Sequence, residues 1–282
     1  MIKCIIFGAG GTGSTIIKSL HSDKNRKVVA FLDNDKKKWG NSLFDQIIYN
    51  PEDILRLEYD EIIIGTIMSP DEVKIQLVNL GVQINAINSK YVDRIHNARL
   101  SWLKDFALFV SCKNADFALA EAGVFYGDFA KEINRLFQNR KLYLFDTFEG
   151  FDIKDLVYEN EDFYKTSGNL SMTSEELVIN KMPYPHNVDI RKGYFPQSTE
   201  GITDRFIFVN LDMDLFKPTY EGLKFFYPKM IKGGIILIHD YFSEVYGESI
   251  KRAISMFESD IKHKLNLFPI GDETSIAVLI VN

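Results

Sequence analysis

The sequence predicts an α/β protein of two Rossmann-like domains, and three observations carry that reading. Apolar runs of strand length alternate with amphipathic stretches of helix length along the chain. Each half pairs a glycine turn after its first strand with an acid ending its second. Asp33 stands 20 residues after Gly13, and Asp146 stands 19 after Gly127. The length, 282 residues, suits two domains of roughly 150 residues each.

In the first half, Ile2 to Phe7 reads as a buried strand, Gly8 to Gly13 as a turn, and Ser14 to His21 as a helix. Lys27 to Leu32 is a second strand, ending in the acids of DND. Pro51 opens a short helix, PEDILRL, because its missing N–H costs nothing at a first helical position. Glu61 to Thr66 is a strand, SPDEVKIQLVNLG a helix stopped by Gly81, and Val82 to Ile87 a last short strand. Residues 1–90 thus make one domain. Residues 91–112 carry apolar side chains at helical spacing and link it to a second domain, 113–282.

In that domain Phe117 to Ala120 is a strand, Phe129 to Phe137 a helix capped by Asp128, and Lys141 to Phe145 a strand ending at Asp146. The polar and aromatic stretch Phe148 to Tyr164 reads as a lid or binding loop. SMTSEELVINKM is a helix with a start like a capping box, Ser171 or Thr173 ahead of Glu175 or Glu176. Val188 to Arg191 is a strand. Strands within Phe206 to Leu215 and Gly233 to Phe242 follow, then a helix from Ser249 to Phe257. LNLFPI and TSIAVLIVN close the chain as an antiparallel pair.

Hydrophobic residues at 46% are ample for two cores, and a net charge of −6 argues against nucleic acid or anionic membrane as a partner. The two cysteines, Cys4 and Cys112, lie far apart in sequence, which fits a reducing compartment rather than a disulfide framework. The apolar runs fall short of the roughly 20 residues that span a bilayer, and CIIF breaks too soon for a signal peptide. The expectation is a cytoplasmic protein without membrane insertion. A homo-oligomer stays open.

Two stretches concentrate the chemistry, FIFVNLDMDL and GGIILIHDYF. The helix-length segment between them suits a right-handed crossover, so the strands should be parallel neighbours about 4.8 Å apart. Their carboxyl ends bring Asp212, Asp214, His239 and Asp240 to the edge where open α/β sheets bind ligands. Three carboxylates and an imidazole there point to a divalent-cation site or an acid/base centre, with Asp214 and His239 as catalytic candidates.

Both glycine turns point to nucleoside ligands. GAGGTG meets G-x-G-x-x-G through Gly8, Gly10 and Gly13, with Asp33 placed for a ribose, which predicts a nucleotide or sugar nucleotide. In the second half Glu121, Gly123 and Gly127 form E-x-G-x-x-x-G, with Asp146 as the ribose acid. That spacing suits S-adenosylmethionine, which has no pyrophosphate to cradle. Asp212 joins this cofactor-binding set.

The first half, through IIFGAGGTG, VVAFLDND, YNPEDIL and YDEIIIGTIMSPDEVKIQLVNLGV, resembles the Rossmann-like domains that accompany polysaccharide-biosynthesis enzymes. From about residue 117 onward, EAGVFYGDFA, LFDTFEGF, RKGYFPQS, NLDMDLFKPTYEGLKFFYPKMIKGGIILIHDY and IKRAISMF are similar, in order, to the TylF/MycF-type (macrocin) O-methyltransferases. The resemblance implies a class I S-adenosylmethionine-dependent fold that methylates a sugar hydroxyl with help from Mg2+. It implies Asp214 as metal ligand and general base, His239 and Asp240 as the remaining metal ligands, and Asp146 as the ribose acid.

The chain departs from the family where His239-Asp240 replaces an Asp-Asp pair, where Met213 replaces a glycine between the acids, and at Tyr126 and Asp128 of the glycine loop. An imidazole in place of a carboxylate weakens the metal, shifts it toward Mn2+, or supplies the base. Two other functions stay open on sequence alone. Asp212-Met213-Asp214 is also the DxD motif of metal-dependent glycosyltransferases. The chain could equally be a nucleotide- or sugar-binding regulator whose second half is inactive. The expected partner is a small-molecule or carbohydrate acceptor.

Overall fold

The computed structural model describes residues 1–21, 23–66, 70–111, 117–159 and 170–281, without the side chain of His96. Cys112 and the end of the expected lid, residues 160–164, lie outside the described residues. The chain divides into two compact units, Met1–Asn97 and Ala98–Asn282.

The first unit runs β1 (Ile2–Phe7), α1 (Gly11–Leu20), β2 (Arg26–Leu32), β3 (Ser42–Leu43), β4 (Gln46–Tyr49), β5 (Glu61–Ile64), α2 (Pro70–Asn79) and β6 (Ile87–Asn88). Its sheet has the order β3-β4-β2-β1-β5-β6, parallel except for the β3–β4 hairpin. Central β1 buries Cys4 to Phe7 on both faces, which is why it reads as an unbroken apolar run. Three expectations are corrected. PEDILRL is a 3-10 segment over Pro51–Arg56. Val82 to Ile87 becomes a 3-10 turn, Ile84–Ala86, ahead of a two-residue strand. The β3–β4 hairpin was not expected, because its turn places Phe44 and Asp45 at φ 49° and 60° without the Gly or Asn that announces such turns.

Helix α3 (Lys90–Ser111) starts in the first unit and ends in the second. The second unit continues with β7 (Ala118–Ala122), α4 (Asp128–Leu136), β8 (Leu142–Asp146), α5 (Ile153–Leu156), α6 (Glu175–Lys181) and β9 (Val188–Lys192). It ends with β10 (Phe206–Leu211), α7 (Phe216–Phe226), β11 (Met230–Ile238), α8 (Gly247–Ile261), β12 (Leu267–Pro269) and β13 (Ile276–Leu279). The sheet order is β12-β13-β11-β10-β7-β8-β9. Strands β7 to β11 are parallel, and β13 is antiparallel to both β11 and β12. Alternate residues feed two cores. Leu119, Leu144, Phe208 and Leu237 cluster with Leu103 of α3 and Ile133 of α4. Ala120, Phe145, Val209 and Ile236 cluster with Phe226 of α7 and Phe257 of α8. This is helix cover on both faces of a parallel sheet.

Two helix starts differ from the reading of the sequence. Gly127, not Asp128, is the N-cap of α4, at φ +75°, and the Asp128 carboxylate pairs with Lys181 at 2.8 Å. Helix α6 is capped by Ser174, whose Oγ accepts from the Leu177 N–H at 3.1 Å, while the Thr173 hydroxyl donates to the Phe125 carbonyl.

Candidate active site

Strand register assembles one row of functional groups along the carboxyl edge of the second sheet. Ala122 pairs with Phe145 on one side and with Leu211 on the other, and Leu211 pairs with Ile238. One residue further along each strand therefore come Asp146, Gly123, Asp212 and His239, in that lateral order. The strand order reverses between β7 and β10, so the row straddles the point where open α/β sheets open a crevice.

Gly123 is required by its neighbour. It sits at φ +84°, and a Cβ built there would overlap the carbonyl oxygen of Asp212. The turn that follows is held by Asp146. One carboxylate oxygen accepts from the Val124 and Phe125 N–H groups at 2.8 Å each, and the other accepts from Phe148 N–H at 2.7 Å. Sequence reasoning reserved Asp146 for a ribose, and the structure shows it also shaping the loop.

A polar chain runs from this turn to the acid/His end. Glu121, 2% exposed, accepts from the Asn210 side-chain amide at 2.8 Å through Oε1, while its buried Oε2 has no hydrogen-bond partner among the described residues. Burial pushes the Glu121 carboxyl up to about 8, with Asp212 adding to the shift. Arg99 donates from Nη2 to Asn210 Oδ1 at 3.0 Å and to Asp212 Oδ2 at 3.3 Å, with its guanidinium 4.0 Å from the centre of the Phe129 ring. Asp212 Oδ1 lies 2.9 Å from His239 Nδ1, and Asp240 Oδ2 lies 3.0 Å from the same nitrogen.

Electrostatics at this end favour positive charge. Burial alone would raise Asp212, yet His239 and Arg99 hold it down to about 2. Burial would likewise lower His239, but Asp212 and Asp240 outweigh it and push the imidazole up to about 10. Asp214 is driven well above the usual carboxylate range by burial, then by the nearby charges of Asp240 and Asp212. Asp214 and Asp240 both hold left-handed backbone, at φ +60° and +58°. Such strain in non-glycine residues concentrates at functional sites.

Among the described residues, Asp212, His239 and Asp240 are a group whose donor atoms all fall within 4.8 Å of one another. The sequence reading assigned Asp212 to the cofactor and put Asp214 with His239 and Asp240. Asp212 pairs with Arg99 and His239, while Asp214 is absent from the convergent group among the described residues. Sequence reasoning missed Arg99 and Asn210. A signal for Arg99 was present: it falls four, seven and eleven residues before Leu103, Phe106 and Val110, on the apolar stripe of α3. A charge on such a stripe calls for a buried partner.

In the first unit the glycine turn closes on itself. A Cβ on Gly13 would overlap the Gly8 carbonyl oxygen, whereas Gly10 has open space around it. Asp33 accepts from Ala9 N–H at 2.8 Å and Asp35 N–H at 2.9 Å, and pairs with Lys38 at 2.9 Å.

A class I S-adenosylmethionine-dependent methyltransferase is what the second unit's strand order and its glycine turn define, and solved structures share the fold. The O-methyltransferase NovP superposes with a TM-score of 0.54 at 20% identity, over 66% of this chain and 80% of that one. CalS11, a calicheamicin methyltransferase, gives 0.50 at 16% identity, over 64% and 79%. Residues 91–276 match the family model described as macrocin O-methyltransferase (TylF), and the chain belongs to that family. It is an S-adenosylmethionine-dependent O-methyltransferase. Residues 1–88 match a model described as C2185-like, N-terminal, a description that names neither a ligand nor a polysaccharide pathway. No curated protein sequence matches the chain.

Proposed function

We propose that the protein transfers the methyl group of S-adenosylmethionine to a hydroxyl of a sugar-bearing small molecule, assisted by a divalent cation. The observation that carries this reading is the register row. It sets the glycine turn of Gly123 and Gly127, with Asp146, beside the Asp212, His239 and Asp240 cluster on neighbouring strands. Family membership supports the donor, and the macrocin named in the family description supports a glycosylated acceptor.

The chemistry follows from charge. The acceptor oxygen attacks the methyl carbon, the carbon–sulfur bond breaks, and S-adenosylhomocysteine leaves with the former bonding pair. The sulfonium is already activated, so the protein's tasks are alignment and proton removal. Asp214, two residues beyond Asp212 on the same sheet edge, takes the hydroxyl proton in its ionised form in this reading. Asp146 and the glycine turn hold the adenosyl end. The donor set fits a cation, because His239 Nδ1 is buried between two carboxylate oxygens without a hydrogen-bond partner among the described residues. Bound by Asp212, His239 and Asp240, a cation would stabilise the negative charge that develops on the acceptor oxygen.

An acceptor screen with labelled methyl donor, with and without chelator, tests the proposal. Label entering glycosylated small molecules supports it. Label entering only unglycosylated phenols or protein would replace the acceptor class.

A further inference from the structure

Resting on the proposed methyl-transfer site, we propose that Asp212, His239 and Asp240 form a nitrogen-containing three-donor face that selects a Mn2+-class ion over Mg2+, with Asp214 outside the ion's ligands. The face has an unusual centre. His239 is only 8% exposed, and among the described residues its Nδ1 has no hydrogen-bond partner although carboxylate oxygens stand 2.9 and 3.0 Å away. Those separations are right for hydrogen bonds, but the ring N–H points at neither oxygen. A nitrogen close to two acceptors and aligned with neither is how donors stand when they converge on a shared ion.

The two spacings at His239 agree with octahedral coordination, and the remaining pair lies within 4.8 Å. Neighbouring donors around an ion with bonds of about 2.1 Å stand roughly 3.0 Å apart. The donor types then choose among ions. Mg2+ favours oxygen ligands and keeps its waters, whereas an imidazole favours first-row transition ions, a series in which Mn2+ is the weakest binder and the one that best shares carboxylate ligands.

Surrounding groups fix the face. The Arg99 guanidinium holds Asp212 Oδ2 at 3.3 Å and turns Oδ1 toward the histidine, the kind of outer contact that sets ligand orientation. Asp214 is absent from the convergent group among the described residues. It is therefore left for the acceptor's proton.

The test uses the full-length chain saturated with S-adenosylhomocysteine, whose own binding is followed by calorimetry. Mn2+ is titrated by electron paramagnetic resonance, and Mg2+ is read by competition. The expected result is Mn2+ bound with nitrogen modulation in the electron spin echo. In His239→Asp that modulation should vanish and the preference for Mn2+ over Mg2+ should fall about tenfold or more. Asp214→Asn should keep the modulation and Mn2+ affinity within a few fold, while Asp212→Asn loses about tenfold or more.

Mn2+ bound without nitrogen modulation would overturn the proposal, and so would an unchanged preference in His239→Asp. Equal losses in Asp212→Asn and Asp214→Asn would overturn the ligand assignment. Binding of neither ion by a chain that still binds S-adenosylhomocysteine would remove the metal face and leave methyl transfer standing. A chain that binds no S-adenosylhomocysteine would sink the methyl-transfer reading instead, and the same ion titrations would then decide the face alone.

Discussion

The two glycine turns of this chain share one plan and differ in what lies beyond them. In each, an acid closing the second strand accepts backbone N–H groups of the turn and that of the residue two further along: Asp33 from Ala9 and then Asp35, Asp146 from Val124 and Phe125 and then Phe148. In the first unit the remaining charge of Asp33 meets Lys38, and the glycines make room for one another. In the second, Gly123 makes room for the backbone of Asp212, and through Asp212 the turn connects to His239 and Asp240. A glycine motif thus specifies a backbone shape. Function depends on which strand passes beside it.

Breaking the second edge should have the largest effect. Asp214→Ala is expected to lower turnover by about 10²–10⁴-fold, as for loss of a general base, with S-adenosylhomocysteine affinity within a few fold in calorimetry. Turnover unchanged in a stopped labelling assay would refute the role. Gly123→Ala should destabilise the second unit by about 2–5 kcal/mol, from left-handed strain plus the overlap with Asp212. Urea unfolding monitored by circular dichroism measures this, and a wild-type midpoint would show that the backbone contact yields easily.

The two acids give the sharpest contrast. Asp146→Ala should weaken S-adenosylhomocysteine binding at least about tenfold and cost roughly 1.5–3 kcal/mol of stability, since several N–H groups lose a charged acceptor. Asp33→Ala should leave methyl transfer unchanged. Parallel losses of methyl transfer in both would mean that the first turn serves the reaction.

A pH effect distinguishes Glu121. Its folded carboxyl lies near 8, above the ordinary 4.5, so its contribution to stability is full below about 4.5 and is lost as pH rises through about 8. Glu121→Gln should flatten that slope, by roughly 2–3 kcal/mol between pH 6 and pH 9 in urea unfolding. The same slope in both proteins would show that Glu121 is ionised throughout. The smallest effect belongs to Gly10→Ala, which has open space and should change stability by less than about 0.5 kcal/mol.

Much of this was legible in the sequence where one physical cause acts locally. Parallel strands buried on both faces read as apolar runs, so β1, β10 and β11 stood out, as did the antiparallel β12 and β13. Asp212, Asp214, His239 and Asp240 were found because strand ends follow from strand positions. What was missed depends on register and on neighbours distant in sequence. The direction of each acid within Asp212-Met213-Asp214 is set by backbone angles that no residue pattern reveals. Arg99 reaches Asp212 across 113 positions of chain. The β3–β4 hairpin turned without a glycine, and Ser174 displaced the expected caps because Thr173 was engaged by Phe125.

The left-handed backbone at Asp214 and Asp240 sets two demands against each other. Glycine relieves about 1 kcal/mol or more at such angles, so a selection for thermal endurance alone would replace both aspartates and return a hardier protein with an emptier edge. Stability and reactivity choose opposite residues there. Among variants ranked by melting temperature, those that rise through positions 214 and 240 should be the ones that have stopped working.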